Sequence, residues 1–184
     1  MTEQRTARIT TFVVRPSGFL SAPRPQEAGA EVNSFAFDGA GRLIATVRLI
    51  ESGDGGVAAF ELSERGEITA IGVPLPSAVQ GPVCWLAITP DGRFIFTSAP
   101  PAAVVTSYTY DANGNLIRLA SVAAQTGEGS MPVDLAVSAD SRLLYVVTPG
   151  VGAIQSFAVD PVGRLSPLGT ATGVPTTASG LVVR

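Results

Sequence analysis

Apolar residues in this chain fall in short runs separated by turn-forming residues. Between 81 and 128 the runs are Leu86-Ala87-Ile88, Phe94-Ile95-Phe96-Thr97, Val104 to Tyr110 and Leu116 to Ala120. All are rich in β-branched and aromatic residues and bounded by Gly, Pro, Asp or Asn, the pattern of short strands. Thr89-Pro90-Asp91-Gly92 joins the first two, and Asp111-Ala112-Asn113-Gly114 joins the last two. Both read as hairpin turns in which Gly or Asn takes a positive φ. No segment carries a sustained helical period with caps.

The same pattern recurs. Gly41-Arg42-Leu43-Ile44, Gly92-Arg93-Phe94-Ile95 and Ser141-Arg142-Leu143-Leu144 place arginines at intervals of 51 and 49 residues. A second marker, a turn glycine followed two residues on by an aliphatic, occurs at Gly18, Gly66, Gly114 and Gly163, at intervals of 48, 48 and 49. Four antiparallel strands in about fifty residues, repeated, is the signature of a β-propeller blade. A stacked solenoid is the structural alternative, but its repeats are shorter and lack two hairpins each. The expected fold is therefore all-β, a partial or half-ring β-propeller.

Strands a to d run from channel to rim. In the first full copy they are Phe35–Phe37, Leu43–Val47, Val57–Leu62 and Ile68–Val73. In the third they are Leu135–Val137, Leu143–Val147, Ala153–Val159 and Leu165–Thr170. Arg8–Val14 and Phe19–Ala22 read as an isolated c–d pair, and Gly180–Val183 as an isolated a strand. The single domain, 1–184, thus divides into a c–d pair at 8–30, blades at 31–80, 81–128 and 129–174, and a closing inner strand at 175–184. Fifteen strands are expected. A strand b is expected to be missing, because Met1–Ala7 is too short for a strand and a connection.

Composition narrows the chemistry. A chain of 184 residues, 46% hydrophobic and 15% charged, buries a core as one domain. Its net charge of −3, with scattered basic residues, argues against a nucleic-acid or anionic-membrane partner. No apolar run is long enough to span a bilayer. No apolar run follows Met1-Thr2-Glu3-Gln4-Arg5, so no signal peptide is expected. One cysteine, Cys84, excludes an internal disulfide and points to a reducing, cytoplasmic compartment. Histidine is absent, which excludes Ser-His-Asp and Cys-His nucleophile systems and histidine-containing zinc sites. No cofactor and no metal are expected, and acid–base chemistry falls to Asp, Glu, Tyr or solvent.

Ile88-Thr89-Pro90-Asp91-Gly92-Arg93-Phe94-Ile95 and Phe157-Ala158-Val159-Asp160-Pro161-Val162-Gly163-Arg164-Leu165 resemble repeats of the propeller lactonase family. That family includes bacterial 6-phosphogluconolactonase-type enzymes and fungal carboxymuconate lactonizing enzymes. Gly173-Val174-Pro175 and Ser179-Gly180-Leu181-Val182-Val183 are similar to the family's C-terminus, where a last inner strand closes the first blade. The resemblance implies a seven-bladed ring from a chain about twice this long, of which this chain looks like the C-terminal half. It also implies His, Arg and Glu or Asn around the channel, often where strand b meets the b–c loop. Those stretches read Val47-Arg48-Leu49-Ile50-Glu51, Thr97-Ser98-Ala99-Pro100 and Val147-Thr148-Pro149-Gly150 here, and only the first is charged.

By fold analogy, ligands bind at the channel mouth. The loop Arg48–Gly56 carries Arg48, Glu51 and Asp54. An arginine there holds a carboxylate or phosphate and a carboxylate orients water; alternatively the loop is only solvated charge. Asp134 stands just before an inner strand, aligned with Ser34 and Trp85, with Asn33 and Cys84 further out. These form either a polar binding wall with one aromatic, or a turn cap at Asp134 and an inter-blade filler at Trp85. Cys84 has no histidine to activate it and reads as a packed residue. Asp111, Asn113 and Asn115 alternate like the start of a calcium loop but lack its closing glutamate. Gly53-Asp54-Gly55-Gly56 lacks the Lys-Ser/Thr and helix of a phosphate loop and reads as flexible loop.

Three functions follow. The first is a lactone hydrolase acting on a sugar lactone such as 6-phosphogluconolactone, with Arg48 holding the substrate's anion and Glu51 or Asp134 as base. The second is a non-catalytic module that binds a small anionic or sugar-lactone ligand, or a protein, through Asn33, Ser34 and Trp85. The third is a half-propeller with only an assembly role. An open run of blades exposes raw faces near Phe35, Phe37 and Val182, so a homodimer that exchanges its C-terminal strand and completes the ring is expected. A closed monomer, or a fragment needing the rest of its protein, are the alternatives.

Overall fold

A computed structural model describes residues 1–3 and 6–183. In chain order its strands are β1 (Thr2–Glu3), β2 (Arg8–Thr11), β3 (Arg24–Glu27), β4 (Glu31–Phe37), β5 (Leu43–Arg48), β6 (Gly55–Leu62), β7 (Ile68–Pro76), β8 (Leu86–Ile88), β9 (Ile95–Ala99), β10 (Val104–Tyr110), β11 (Leu116–Gln125), β12 (Asp134–Val137), β13 (Leu143–Thr148), β14 (Ala153–Val159) and β15 (Leu165–Thr172). A 3-10 turn at Pro149–Val151 is the one helical element among the described residues. Three four-stranded antiparallel meanders, β4–β7, β8–β11 and β12–β15, follow a three-stranded sheet, β1–β3. Inner strands β4, β8 and β12 are neighbours, and β1 lies beside β4. The fold is an all-β partial propeller.

The core lies between blades rather than inside any one. Ile9 and Ala28 of the first sheet pack on Val32, Leu43 and Phe60. Ile44, Val57 and Ala59 pack on Ile95 and Tyr108, and Phe94, Phe96 and Val105 on Leu135, Leu144 and Phe157. Fully burying side chains of this size stabilises by about 1.5–3 kcal/mol each, so each blade depends on the next.

The repeated arginine ties blade to blade. Arg42 Nη1 donates to the Gly114 carbonyl at 2.8 Å, and Arg93 Nη2 donates to the Pro161 carbonyl at 2.6 Å. Both carbonyls belong to the outer hairpin turn of the following blade. Arg42 also pairs with Asp38 at 2.8 Å and lies 4.0 Å over the Tyr110 ring, whose hydroxyl donates to Asp38. Burial pushes the Asp38 carboxyl up, but hydrogen bonds from Tyr110 and Arg42 outweigh it and hold the group below its ordinary value. Burial and the neighbouring Asp38 push the Tyr110 hydroxyl up. In the three-stranded sheet the tie is made differently: Gln26 Nε2 and the Thr11 hydroxyl donate to the Gly66 carbonyl.

The hairpin glycines Gly66, Gly114 and Gly163 take φ of 78°, 80° and 80°, as their turns require. The Asp111 turn closes on itself, its carboxylate accepting the Asn113 and Asn115 amides.

Four expectations are corrected. Strand b of the incomplete blade does form, as β1, with Thr2 opposite Ile9 and Glu3 opposite Arg8. Two residues suffice because the Met1 ammonium and carbonyl extend the ladder to Thr10; Gln4 and Arg5, which the length argument also counted, lie outside the described residues. Strand d of that blade is Arg24–Glu27, not Phe19–Ala22, which form the hairpin tip with a single bridge between Val14 and Leu20. The Arg8–Glu27 ion pair at 2.7 Å and the Gln26 tie fix that register. Residues 173–183 form no strand where a closing inner strand was expected, because no strand lies alongside to complete a ladder. Arg184, the last residue of that expected strand, is outside the described residues. Gly55 and Gly56 are not loop but the buried start of β6. A Cβ at Gly55 would lie 2.3 Å from Val83, so glycine there lets the next blade pack against the strand.

Candidate functional site

The inner strands form the channel wall, and the polar residues marked there are occupied by ties between blades. Asn33 and Ser34 sit at a bulge in the β4–β5 ladder. Asn33 Nδ2 donates to the Val83 carbonyl at 3.1 Å, just ahead of β8. Ser34 shares a 3.2 Å hydroxyl contact with Thr46, and the Thr46 hydroxyl donates to the Cys84 carbonyl at 2.8 Å. One blade on, the Ser98 hydroxyl accepts the Trp85 amide and donates to the Val133 carbonyl. The Trp85 side chain packs half-buried against the Phe94–Phe96–Leu135–Phe157 cluster. Cys84 is half-buried, and burial pushes its thiol up, so it stays protonated at neutral pH.

Asp134 opens β12. Its Oδ1 accepts the Leu135 amide at 2.8 Å and its Oδ2 the Leu181 amide at 2.7 Å. Both oxygens therefore hold backbone. Asp134 tethers the segment that follows the last blade.

Arg48 and Glu51 lie elsewhere, Arg48 as the last residue of β5 and Glu51 on the loop that joins β5 to β6. Leu49 anchors that loop in the core beside Ile9 and Val47. The Leu49 amide donates to the Asp54 carbonyl, and the Gly53 amide to the Leu49 carbonyl, both at 2.8 Å. Asp54 Oδ1 accepts the Gly81 amide at 3.2 Å, so the loop is braced against the next blade. Arg48 Nε donates to the Gly53 carbonyl at 3.3 Å, and Nη1 reaches Glu31 at 3.3 Å, leaving the arginine side chain 54% exposed. An open groove of about 600 Å³ lies along the loop that follows, lined by Gly29, Ala30, Leu49, Ile50, Glu51 and Val73 among others. Ile50 and Val73 expose apolar surface there.

The structure thus brings Arg48 and Glu51 to one corner and puts Asp134, Asn33, Ser34 and Trp85 to other work. Sequence reasoning missed Glu31, which faces Arg48 directly in the ladder. Counting outward from the Asp38–Gly41 turn in unbroken register pairs Arg48 with Val32; the bulge at Asn33 and Ser34 shifts the partner by one residue. It also missed Thr46 and Ser98, buried hydroxyls on strands that read as plain β. Among the described residues, no group of three or more Cys, Asp or Glu is placed to hold a metal ion. Among the described residues, no helix is long and apolar enough to cross a membrane.

Comparison with known proteins places this geometry. A family model described as "Lactonase, 7-bladed beta-propeller" matches residues 1–134. A solved structure titled a putative 6-phosphogluconolactonase from Bacteroides uniformis is similar with a TM-score of 0.77 at 19% identity, over 94% of this chain and 54% of that one. The periplasmic gluconolactonase of Pseudomonas aeruginosa is similar with a TM-score of 0.68 at 21% identity, over 90% of this chain and 50% of that one. A protein from Lactobacillus plantarum gives a TM-score of 0.76 at 17% identity, over 93% and 53%. The chain spans about half the length of these structures. None of the curated proteins compared with the chain matches it.

Proposed function

Because the chain belongs to the lactonase family of seven-bladed β-propellers, we propose that its channel-mouth corner binds a small anionic sugar lactone through Arg48 and hydrolyses it with Glu51 as base. One observation carries the reading. Arg48 ends β5 and Glu51 stands three residues on, in the braced loop that follows, the guanidinium half-exposed and the carboxylate on the wall of an open groove. A guanidinium with free N–H groups takes carboxylate or phosphate oxygens in parallel hydrogen bonds. A carboxylate within reach of a bound water activates it as general base. The lactone class comes from the similar proteins, one titled a putative 6-phosphogluconolactonase and one a gluconolactonase. In the proposed step a water oxygen attacks the lactone carbonyl carbon while Glu51 takes the water proton. The ring C–O bond then breaks, the ring oxygen takes that proton back, and the open hydroxy acid leaves. The single unpaired cysteine supports a reducing, cytoplasmic setting.

A second reading, ligand binding without turnover, is favoured by the absence of histidine and by the backbone amides that occupy both oxygens of Asp134, the other candidate base. The experiment is a pH-stat assay of 6-phosphogluconolactone and gluconolactone against the spontaneous rate. The expected result is turnover that Glu51→Gln lowers by about 100-fold or more, with Arg48→Ala raising KM for the phosphorylated lactone more than for the plain one. Saturable calorimetric binding without turnover, abolished by Arg48→Ala, selects the second reading. No turnover and no binding overturns both.

A further inference from the structure

We propose that the groove between the β8–β11 and β12–β15 blades is a second ligand site, one that takes a small carboxylic acid with an apolar body through Ser107 and Arg164. Ser107 is fully buried, and its Oγ is the one buried side-chain polar atom without a hydrogen-bond partner among the described residues. Such an orphan costs stability unless another group takes up the bond. β10 keeps unbroken register with β9, so Ser107 points to the same side as Val105, which packs in one cluster with Leu144 and Phe157 of the next blade. The hydroxyl therefore faces the gap between the two blades.

A local irregularity opens that gap. From Tyr108 to Val105 the partner on β11 runs from Arg118 to Ala124, six steps against three, so β11 carries three extra residues. The matching bulges carry two in β7 and one in β15. Neither of those leaves an orphan. The repeat puts Ala59 at the Ser107 position of the blade before and Ser156 at that of the blade after, and Ser156 Oγ donates to the Gly169 carbonyl at 3.2 Å. In the middle blade β11 arches away instead. Beside the arch lies a groove of about 380 Å³, bordered by Ser107, Leu119, Val122, Arg164 and Leu165 among others, within the size range of small-molecule sites.

The lining selects the class of ligand. Leu119 and Val122 stand exposed on one wall, and Leu165 is half-buried on the other. Arg164 supplies the charge. Its backbone closes the Asp160 turn, but among the described residues its guanidinium has no partner. At the same turn position one blade back Asn115 Nδ2 donates to Asp111, and two blades back Glu67 pairs with Arg24. An unpaired guanidinium beside exposed aliphatic surface, with an orphan hydroxyl in the same groove, suits a carboxylate carried on an aliphatic or aromatic body. Both blades that form the groove are whole, and neither carries Arg48, so the site stands apart from the lactone reading.

Amide chemical shifts followed through a titration with 4-phenylbutanoate test this. Saturable shifts are expected at Ser107, at residues 119–123 and at residues 162–165, with a dissociation constant of about 1 mM or below. Arg164→Gln weakens binding of the acid about tenfold and leaves the neutral analogue 4-phenylbutanol unaffected. Ser107→Ala weakens the acid about fivefold or more, yet melts no lower than wild type, because it deletes a hydroxyl that bonds nothing in the free protein. Absence of saturable shifts at those amides overturns the proposal, as does an Arg164→Gln variant that binds the acid as wild type does. A Ser107→Ala variant with lowered melting temperature or unchanged affinity removes the hydroxyl from the site and overturns it too. Shifts confined to residues 48–52 assign the acid to the channel-mouth corner instead.

Discussion

Replacing Gly163 by alanine separates two costs that most turn glycines combine. Gly66, Gly114 and Gly163 share one backbone conformation, φ between 78° and 80°. An L-residue in that region costs about 1 kcal/mol, and the cost is common to all three. What differs is the space. A Cβ at Gly163 lies 2.6 Å from Cδ1 and Cε1 of Phe94 and 2.8 Å from Leu119 Cδ2. The Phe94 ring is buried beside Phe96 and lies under the Arg93 guanidinium, so it has little room to move. Overpacking of this kind costs about 1–3 kcal/mol. At Gly66 the new atom meets Thr11 Oγ1 at 3.1 Å, and at Gly114 only the guanidinium end of Arg42 at 3.4 Å, a contact that needs a shift of a few tenths of an ångström at most. The expected losses are about 2–4 kcal/mol for Gly163→Ala and ~1 kcal/mol for Gly114→Ala, with Gly66→Ala between. At about 2–4 °C per kcal/mol for a chain of this size, Gly163→Ala melts about 5–15 °C below wild type and Gly114→Ala only a few degrees below. Thermal and urea melts at one fixed protein concentration measure this. Equal losses at Gly114 and Gly163 refute the packing term, and a reversed order refutes the geometry of the interface.

Three further outcomes are expected. Asp134→Ala releases the Leu181 amide, and hydrogen exchange there speeds up by about tenfold or more, the loss of one charge-assisted bond; an unchanged rate means that the tether carries no weight. Arg42→Met leaves the nearly buried Asp38 carboxylate short of its cation and costs about 2 kcal/mol, and a cycle with Tyr110→Phe gives a coupling above about 0.5 kcal/mol, whereas strict additivity contradicts the clip. Stability falls as pH drops below the ordinary carboxylate value of 3.8, because Asp38, Asp91, Asp111 and Asp140 all hold their protons less tightly in the fold. The unfolded chain takes up protons first, so the contribution is whole above that pH and is lost on acidification. For Asp140, held down to about 2 by the Ser138 hydroxyl and Arg142, the loss continues until the pH falls through about 2. Carboxyl chemical shifts followed through a pH titration check the order.

The sequence made the blades legible because strand and turn residues are local signals. Thr89-Pro90-Asp91-Gly92 and Asp111-Ala112-Asn113-Gly114 form the turns that they spell. Signals that depend on register were not legible. Glu31 meets Arg48 only through a bulge, and Arg24–Glu27, with a proline in its run, pairs because Gln26 finds Gly66 40 residues away along the chain, not because its propensity favours a strand. Gly55 and Gly56 read as slack chain since glycine spells flexibility, whereas here it spells close approach, by Val83 at Gly55 and by the Leu75 backbone at Gly56. The ties made by the wall residues were not legible for the same reason. Nothing local in Asn33 or Thr46 says that a carbonyl from the next blade will take up its hydrogen bond.

The use of channel-wall polar groups as ties divides this molecule into a conserved-by-physics frame and a replaceable surface. A change at Asn33, Thr46 or Ser98 breaks a seam between repeats before it alters any preference for a ligand. The four residues Ile50–Gly53, by contrast, project from a loop whose ends are pinned by Leu49 and Asp54. Recognition in such an architecture is retuned most cheaply at its lips, so a mutational library confined to Ile50–Gly53 will return folded variants with altered selectivity, while one directed at the wall will return mostly unfolded chains.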